Sequence, residues 1–404
     1  MSESLKAWMK KHSLKEGNLV DLNFGNEKVE GFLLPSSSSD SLTLKLINGY
    51  NIGVKLKDVK KVEKKGEGIK PGKPEVRKIE FNKNLPLIGL IHTGGTIAAR
   101  VDYETGAVIY SGFNPEDLIN LFPEITETAN IKVRFLSGVA SDDLNFKHYQ
   151  LMVKTIIEEI KKEKELKGII LTHGTDTMHY TSAALSFMLE GLNIPVILTG
   201  SQRSSDRASS DAAMNLVCAA EFIAKTDFVG VGVCMHESSD DNNCVILPAC
   251  KTRKMHTSRR DAFKAVNATP IARINYDSKK IEFLTKDFEK KKSSSNLKLK
   301  EKFEEKTGLI KIHPNMSSEQ FKFYLKQGYK GLVIEGTGLG HAPVGIKENL
   351  EILKAISELS KKGCVMVMTS QCLFGRVDLN VYSNGIKLLK AGVISGEDLL
   401  PETA

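Results

Sequence analysis

Residues 90–103 read LIHTGGTIAARVDY, an apolar run that breaks into two glycines set between two threonines. The run begins earlier, as LPLIGLIHT from Leu85, and the sequence after it repeats a theme. A helical stretch, NPEDLINLF, leads to the apolar segment IKVRFLSGV, then to the long amphipathic NFKHYQLMVKTIIEEIKKEKE, then to KGIILTHG ending at Gly174. Strands that are apolar almost throughout, alternating with helices, predict a parallel, doubly wound α/β sheet covered on both faces. In such sheets ligands gather at the carboxyl ends of the strands, where the loops carry the polar groups. HTGGTI sits at such an end, yet it has no Gly-Lys-Ser ending and no G-x-G-x-x-G opening a helix. That disfavours a phosphate loop.

Outward from this unit the texture changes twice. Between Gly17 and Lys64 the pattern is short and alternating (NLVDLNF, KVEGFLLP, SLTLKLINGYNIGVKL), which predicts a small all-β, SH3-like barrel over 1–65. The tract VEKKGEGIKPGKPEVRK cannot bury enough apolar surface to order itself as a core, so 66–84 reads as a linker. The large α/β domain then occupies 85–285, a second charged tract (KDFEKKKSSSNLKLKEKFEEK) makes 286–306 another linker, and strand-helix units resume over 307–404 as a smaller α/β domain. A chain of 404 residues is long enough for two or three cores. Six cysteines without C-x-x-C spacing argue for reduced thiols, against structural zinc, and for a cytoplasmic setting. The opening MSESLKAWMKKHSLKEG has no apolar signal region, and nothing in the sequence suits a membrane span. The formal charge of +8 is compatible with nucleic-acid contact or with solvated lysine runs.

Two further loops concentrate chemistry. THGTDTM places Thr172, Thr175, Asp176 and Thr177 between a strand and an apolar helix, where Thr and Asp also serve as ordinary helix caps. CKTRKMHTSRRDAF gathers Lys251, Arg253, Lys254, Arg259 and Arg260, which a solvated basic loop would equally explain. Taken together they supply what a hydroxyl nucleophile lacks at its free pKa, a neighbouring base or cation. No G-x-S-x-G elbow and no H-E-x-x-H pair offers an alternative. His173 and His179 lie near Asp176 without a third or fourth metal ligand at supporting spacing, so no metal is expected. EGTGLGH, Glu335 to His341, reads as a tight turn beside a site rather than a cofactor loop.

TGGTIA (93–98) and THGTDTM (172–178) resemble the paired signatures of the L-asparaginase and glutaminase family. The resemblance covers the chain from about Leu85 onward. It implies a large doubly wound domain, a smaller α/β domain, and active sites formed between subunits. It implies Thr96 as nucleophile, with Tyr103 as its hydroxyl partner on a mobile lid. Thr175 would be the second threonine, Lys254 its lysine partner, and Asp176 the acid that holds the substrate's α-amino group. Ser141 would bind the α-carboxylate. Asp142 stands where many relatives have Gln, and Gly95 lets backbone approach the substrate closely. The lid would span Ala98–Ser111, with Gly106 as a hinge. Lys251, three residues before Lys254, is expected to be the neutral control, its replacement by Met leaving activity nearly unchanged.

The barrel, together with TGSQRSSDRASSDAAMNL, is similar to the D-subunit family of archaeal glutamyl-tRNA(Gln) amidotransferases. That resemblance implies a glutaminase working with an E subunit, which binds the tRNA, uses ATP and Mg, and receives the ammonia. It implies two D and two E chains per complex and no cofactor in this subunit. Relatives continue past DLLPETA into a closing helix. A free-standing L-asparaginase and a non-catalytic RNA-binding module remain as alternative expectations.

Overall fold

The computed structural model describes residues 3–25, 27–34, 36, 40–46, 51–67, 81–95, 97, 100–101, 108–109, 122–204, 209–294 and 296–404. Thr96 and Tyr103 lie outside them, as does most of the expected lid. Arg100–Val101 and Val108–Ile109, at its two ends, pair antiparallel.

The N-terminal part is five antiparallel strands: β1 (Leu19–Phe24), β2 (Glu27–Leu34), β3 (Ser41–Leu46), β4 (Asn51–Lys55) and β5 (Val59–Gly66), in the order β4-β3-β2-β1-β5. It is not purely β. Helix α1 (Glu3–Lys11) precedes it and sets Leu5 and Met9, one helical turn apart, into the same core as Val20, Leu22, Leu33, Leu42 and Leu44.

The large domain is built on β6 (Leu87–His92), β7 (Asn130–Phe135), β8 (Leu166–Thr172), β9 (Pro195–Thr199), β10 (Gly230–His236), β11 (Asn243–Pro248), a short hairpin β12 (Thr252–Lys254) and β13 (Phe263–Ala265), then β14 (Ala272–Asn275) and β15 (Ile281–Phe283). Among the described residues one sheet runs β15-β14-β11-β10-β9-β8-β6-β7. The five strands from β7 to β10 are parallel, as the apolar runs predict. The other three are antiparallel, a departure from the all-parallel expectation. The cause is local: only residues 237–242 connect β10 to β11, far too few for a crossover, so the chain must turn back on itself.

Helices α2 (Phe146–Lys162) and α3 (Met178–Met188) cover one face, and α4 (Ala212–Lys225) covers the other. Alternate strand residues divide between the two: Ile88, Leu90 and Ile170 join the α4 side, while Ile91, Ile169 and Leu171 join the α2 and α3 side. α2 starts where its sequence says it should, with the Asn145 side chain accepting from the Lys147 amide at 3.1 Å. The second α/β unit has four parallel strands, β16 (Thr307–Lys311), β17 (Gly331–Gly336), β18 (Val365–Ser370) and β19 (Val393–Ser395), with α5 (Glu319–Lys326), α6 (Leu350–Lys361) and α7 (Ser383–Lys390) between them. EGTGLGH is a tight turn, Thr337 N donating to His341 O at 3.0 Å. Among the described residues no helix is long and apolar enough to cross a membrane.

From β6 the chain goes to β7 on one side, then crosses to β8 on the other. The strand order reverses between β6 and β8, so the loops at their carboxyl ends diverge and leave a crevice.

Candidate active site

Both threonine-bearing loops leave the sheet at that crevice. β6 and β8 are in register to their ends, His92 opposite Thr172, and the contact continues beyond the sheet. Thr93 donates to Thr172 O from its amide (3.1 Å) and from Oγ1 (2.9 Å). Gly94 and Gly95 have φ of +113° and +88°, which glycine tolerates and other residues rarely do. A Cβ on Gly95 would lie 2.5 Å from Gly174 Cα, and one on Gly174 would lie 2.7 Å from Ser141 Cβ. The backbone of Gly95 is therefore stacked on that of Gly174, which in turn is pressed on the side chain of Ser141.

Ser141 opens the turn Ser141–Asp143 beyond β7 and is buried, with Asp142 exposed beside it. Thr177 Oγ1 donates to Ser141 O at 2.6 Å, which ties the α3 loop to the Ser141 turn. Thr175 is buried at the start of that loop, and Asp176 next to it opens to solvent, its side chain 69% exposed. Lys254, the last residue of β12, reaches across so that Nζ donates to Thr175 Oγ1 at 2.8 Å and to Asp176 Oδ1 at 2.8 Å. Its own side chain is 9% exposed. The structure thus brings Gly95, Ser141, Thr175, Asp176 and Lys254 to one crevice. A cation bound to a buried hydroxyl stabilises charge developing on that oxygen, and the adjacent carboxylate keeps the ammonium fixed.

His92, His173 and His179, on the strand, loop and helix that carry these residues, are buried. Burial pushes each imidazole down to about 4, with Arg253 and Lys254 adding to the effect at His179. His173 is held by Gly174 O at Nδ1 (2.6 Å) and by Thr181 Oγ1 at Nε2 (2.8 Å), so both ring nitrogens have partners within the protein. A free imidazole titrates near 6.5, so between pH 6.5 and 4 the unfolded chain binds protons that the native state refuses. Stability therefore rises with pH across this window and falls as pH drops through it. Acid titration of the melting temperature should show uptake of about three protons on unfolding near pH 5. Replacing His92 by Gln should remove about one of them, and a pH-independent melting temperature between 4 and 6.5 would contradict the assignment.

The basic loop is not an unengaged solvated patch. Each cation of the cluster has an acid within ion-pair distance: Lys251 with Asp398 (2.7 Å), Arg253 with Glu402 (3.7 Å), Lys254 with Asp176, Arg259 with Asp261 (2.6 Å), and Arg260 with Asp241. Lys251 in particular also donates to Asp398 O at 2.9 Å. Asp398 and Glu402 belong to the second α/β unit, beyond β19. The sequence offered no signal for these pairings, in which Lys251 and Asp398 stand 147 positions apart.

Comparison with known proteins identifies the family of the chain. Residues 14–64 match the GatD N-terminal domain, residues 87–288 the asparaginase N-terminal domain, and residues 306–404 the glutaminase/asparaginase C-terminal domain. The chain is 47% identical over 379 residues to the D subunit of the glutamyl-tRNA(Gln) amidotransferase of Pyrococcus abyssi, covering 93% of this chain and 84% of that one. It is 44% identical over 412 residues to the D subunit of the Thermococcus kodakarensis amidotransferase, covering all of this chain and 91% of that one. The chain belongs to the D-subunit family. Among solved structures, the thermostable L-asparaginase from Thermococcus kodakarensis superposes with a TM-score of 0.68 at 29% identity, over 78% of this chain and 90% of the other. L-asparaginase I from Vibrio cholerae gives the same TM-score and identity, over 79% and 90%. The likeness to free-standing asparaginases thus stops short of the whole chain, whereas the D-subunit relatives match nearly all of it.

Proposed function

We propose that this chain is the glutaminase subunit of a glutamyl-tRNA(Gln) amidotransferase. It hydrolyses glutamine with a threonine nucleophile and supplies the ammonia that converts Glu-tRNA(Gln) to Gln-tRNA(Gln). The observation that carries the chemistry is the Lys254 ammonium bonded to both Thr175 and Asp176 in the β6/β8 crevice. Thr96, the residue after Gly95, whose backbone stacks on Gly174, attacks the side-chain carbonyl carbon of glutamine. The carbon-nitrogen bond breaks with proton delivery to departing ammonia, and water then releases glutamate from the acyl-threonine. Thr175, Lys254 and Tyr103 move the protons. Asp176, exposed beside Thr175, pairs with the substrate's α-amino group, and Ser141 takes the α-carboxylate. This subunit needs no cofactor for that hydrolysis. ATP and Mg serve the activation of glutamyl-tRNA on the E subunit, in a cytoplasmic assembly of two D and two E chains.

The reading is tested by ammonia release from glutamine and asparagine, using the chain alone, with the E partner, and with partner plus charged or uncharged tRNA. An isolated chain that is slow on glutamine and accelerated about a hundredfold by partner and glutamyl-tRNA supports it, since that change needs only about 2.7 kcal/mol of preference for a closed lid. Full activity on asparagine, unchanged by every addition, would leave a free-standing asparaginase.

A further inference from the structure

The second α/β unit does more than flank the crevice. The stretch Asp398 to Thr403, beyond β19, runs along the segment that leads into Lys254 and meets it repeatedly. Lys251 Nζ bonds to the carbonyl and the carboxylate of Asp398. Thr403 Oγ1 donates to Cys250 O at 2.8 Å. Glu402, with a side chain only 3% exposed, faces Arg253 at 3.7 Å and His179 Nε2 at 3.9 Å. These contacts fall on four partners, Cys250, Lys251, Arg253 and His179, of which three immediately precede Lys254 in β12 or lead into it.

His179 connects the carboxylate to the site from the other side. It lies on α3, three residues after Asp176, and its ring meets Phe263 edge-on with centroids 6.5 Å apart. Phe263 is the residue opposite Lys254 in the β12/β13 hairpin. Glu402 thus presses on the hairpin through Arg253 on one strand and through His179 and Phe263 on the other. Arg253 and Lys254 are consecutive in a strand, so their side chains leave it on opposite faces. A carboxylate that holds Arg253 on one face leaves the other to Lys254.

The arrangement is not simple packing. Glu402 Oε1 and His179 Nδ1 are buried without a hydrogen-bond partner, and an apolar residue of the same volume would avoid that cost. We propose that Glu402 is a positioning residue, whose carboxylate, seated between Arg253 and His179, holds the Lys254 strand in the place from which Nζ reaches Thr175 and Asp176. The inference rests on the amidohydrolase reading of the crevice. It makes the second unit part of the catalytic geometry within one chain.

The test is Glu402→Gln in the full chain, which keeps volume and removes charge. Ammonia release from glutamine should lose at least about tenfold in kcat with KM changed less than about threefold, because misplacing Lys254 slows proton transfer while the groups that hold substrate stay put. The melting temperature should move by no more than a few degrees. Amide exchange at Thr252 to Met255 should accelerate about tenfold, a readout that needs no turnover. Adding Arg253→Met to Glu402→Gln should cost little further, since both remove one contact. Unchanged kcat and unchanged exchange would overturn the inference, as would additive losses in the double variant or a fall in kcat that tracks only a large loss of melting temperature. A wild-type chain that releases ammonia from neither amide would instead remove the reading of the site, and the exchange experiment would still decide whether Glu402 fixes the strand.

Discussion

Lys254→Met and Thr175→Ala each lower ammonia release from glutamine by about three orders of magnitude or more, the scale expected when a nucleophile loses the group that activates it. Neither change unfolds the protein. Asp176 is 69% exposed and is hydrated when the ammonium is lost, so Lys254→Met costs only what the bonds of its ammonium contribute, about 1–3 kcal/mol. Thr175 contributes a hydroxyl bonded to Lys254 rather than a piece of the apolar core. Activity and stability therefore separate at these two positions, and Thr96→Ala should follow the same pattern. Lys251→Met behaves differently. It removes a bond to the Asp398 backbone and costs about 1 kcal/mol of stability, without touching Thr175 or Asp176. Initial rates and thermal melts on the same preparations check the contrast. If Lys254→Met kept a tenth of the wild-type rate, or if Lys251→Met and Lys254→Met lost rate equally, the crevice would not work as described.

Physical range separates the features legible in the sequence from those hidden in it. The strands ending at His92 and Thr172 were legible because burial on both faces writes an unbroken apolar run, and their polar ends stand out against it. Thr175, Asp176 and Lys254 were legible as residue types, and the fold supplies the distance between them. The antiparallel edge was not, since β14 and β15 are four and three residues long and carry too little periodicity to show direction. Helix α1 was overlooked because its apolar face, Leu5, Trp8 and Met9, spans little more than one turn of a nine-residue helix. The acids that neutralise the basic loop were invisible for another reason. Lys251 and Asp398 are 147 positions apart, and nothing local distinguishes a cation that will meet a distant carboxylate from one that will meet water. Sequence shows a positive cluster, and only the fold shows that it is paired. That pairing argues against the RNA-binding alternative, because cations already held by carboxylates have less to offer phosphates.

The other large effect expected is at a residue with no side chain. Gly95→Ala should cost about 2–4 kcal/mol of stability and at least about a hundredfold in rate, combining backbone strain with a clash inside the site. The strain comes from φ of +88°, and the clash from a Cβ placed 2.5 Å from Gly174 Cα and N. Neither neighbour can yield. Gly174 is itself pressed on Ser141, and the loop is anchored just before Gly94 by the two bonds from Thr93 to Thr172 O. Gly95 immediately precedes Thr96, the proposed nucleophile, so the loss is expected in kcat. Gly230→Ala is the matched control. Its φ of +107° is equally unfavourable for alanine, but nothing lies within 4 Å of the added carbon, and the residue opens β10 at the end of the sheet opposite the crevice. It should lose about 1–2 kcal/mol by strain alone and keep its rate. Equal rate loss in both variants would mean that general destabilisation accounts for the effect, whereas a loss confined to Gly95→Ala would mean that the close approach of Gly95 to Gly174 is itself required for the rate.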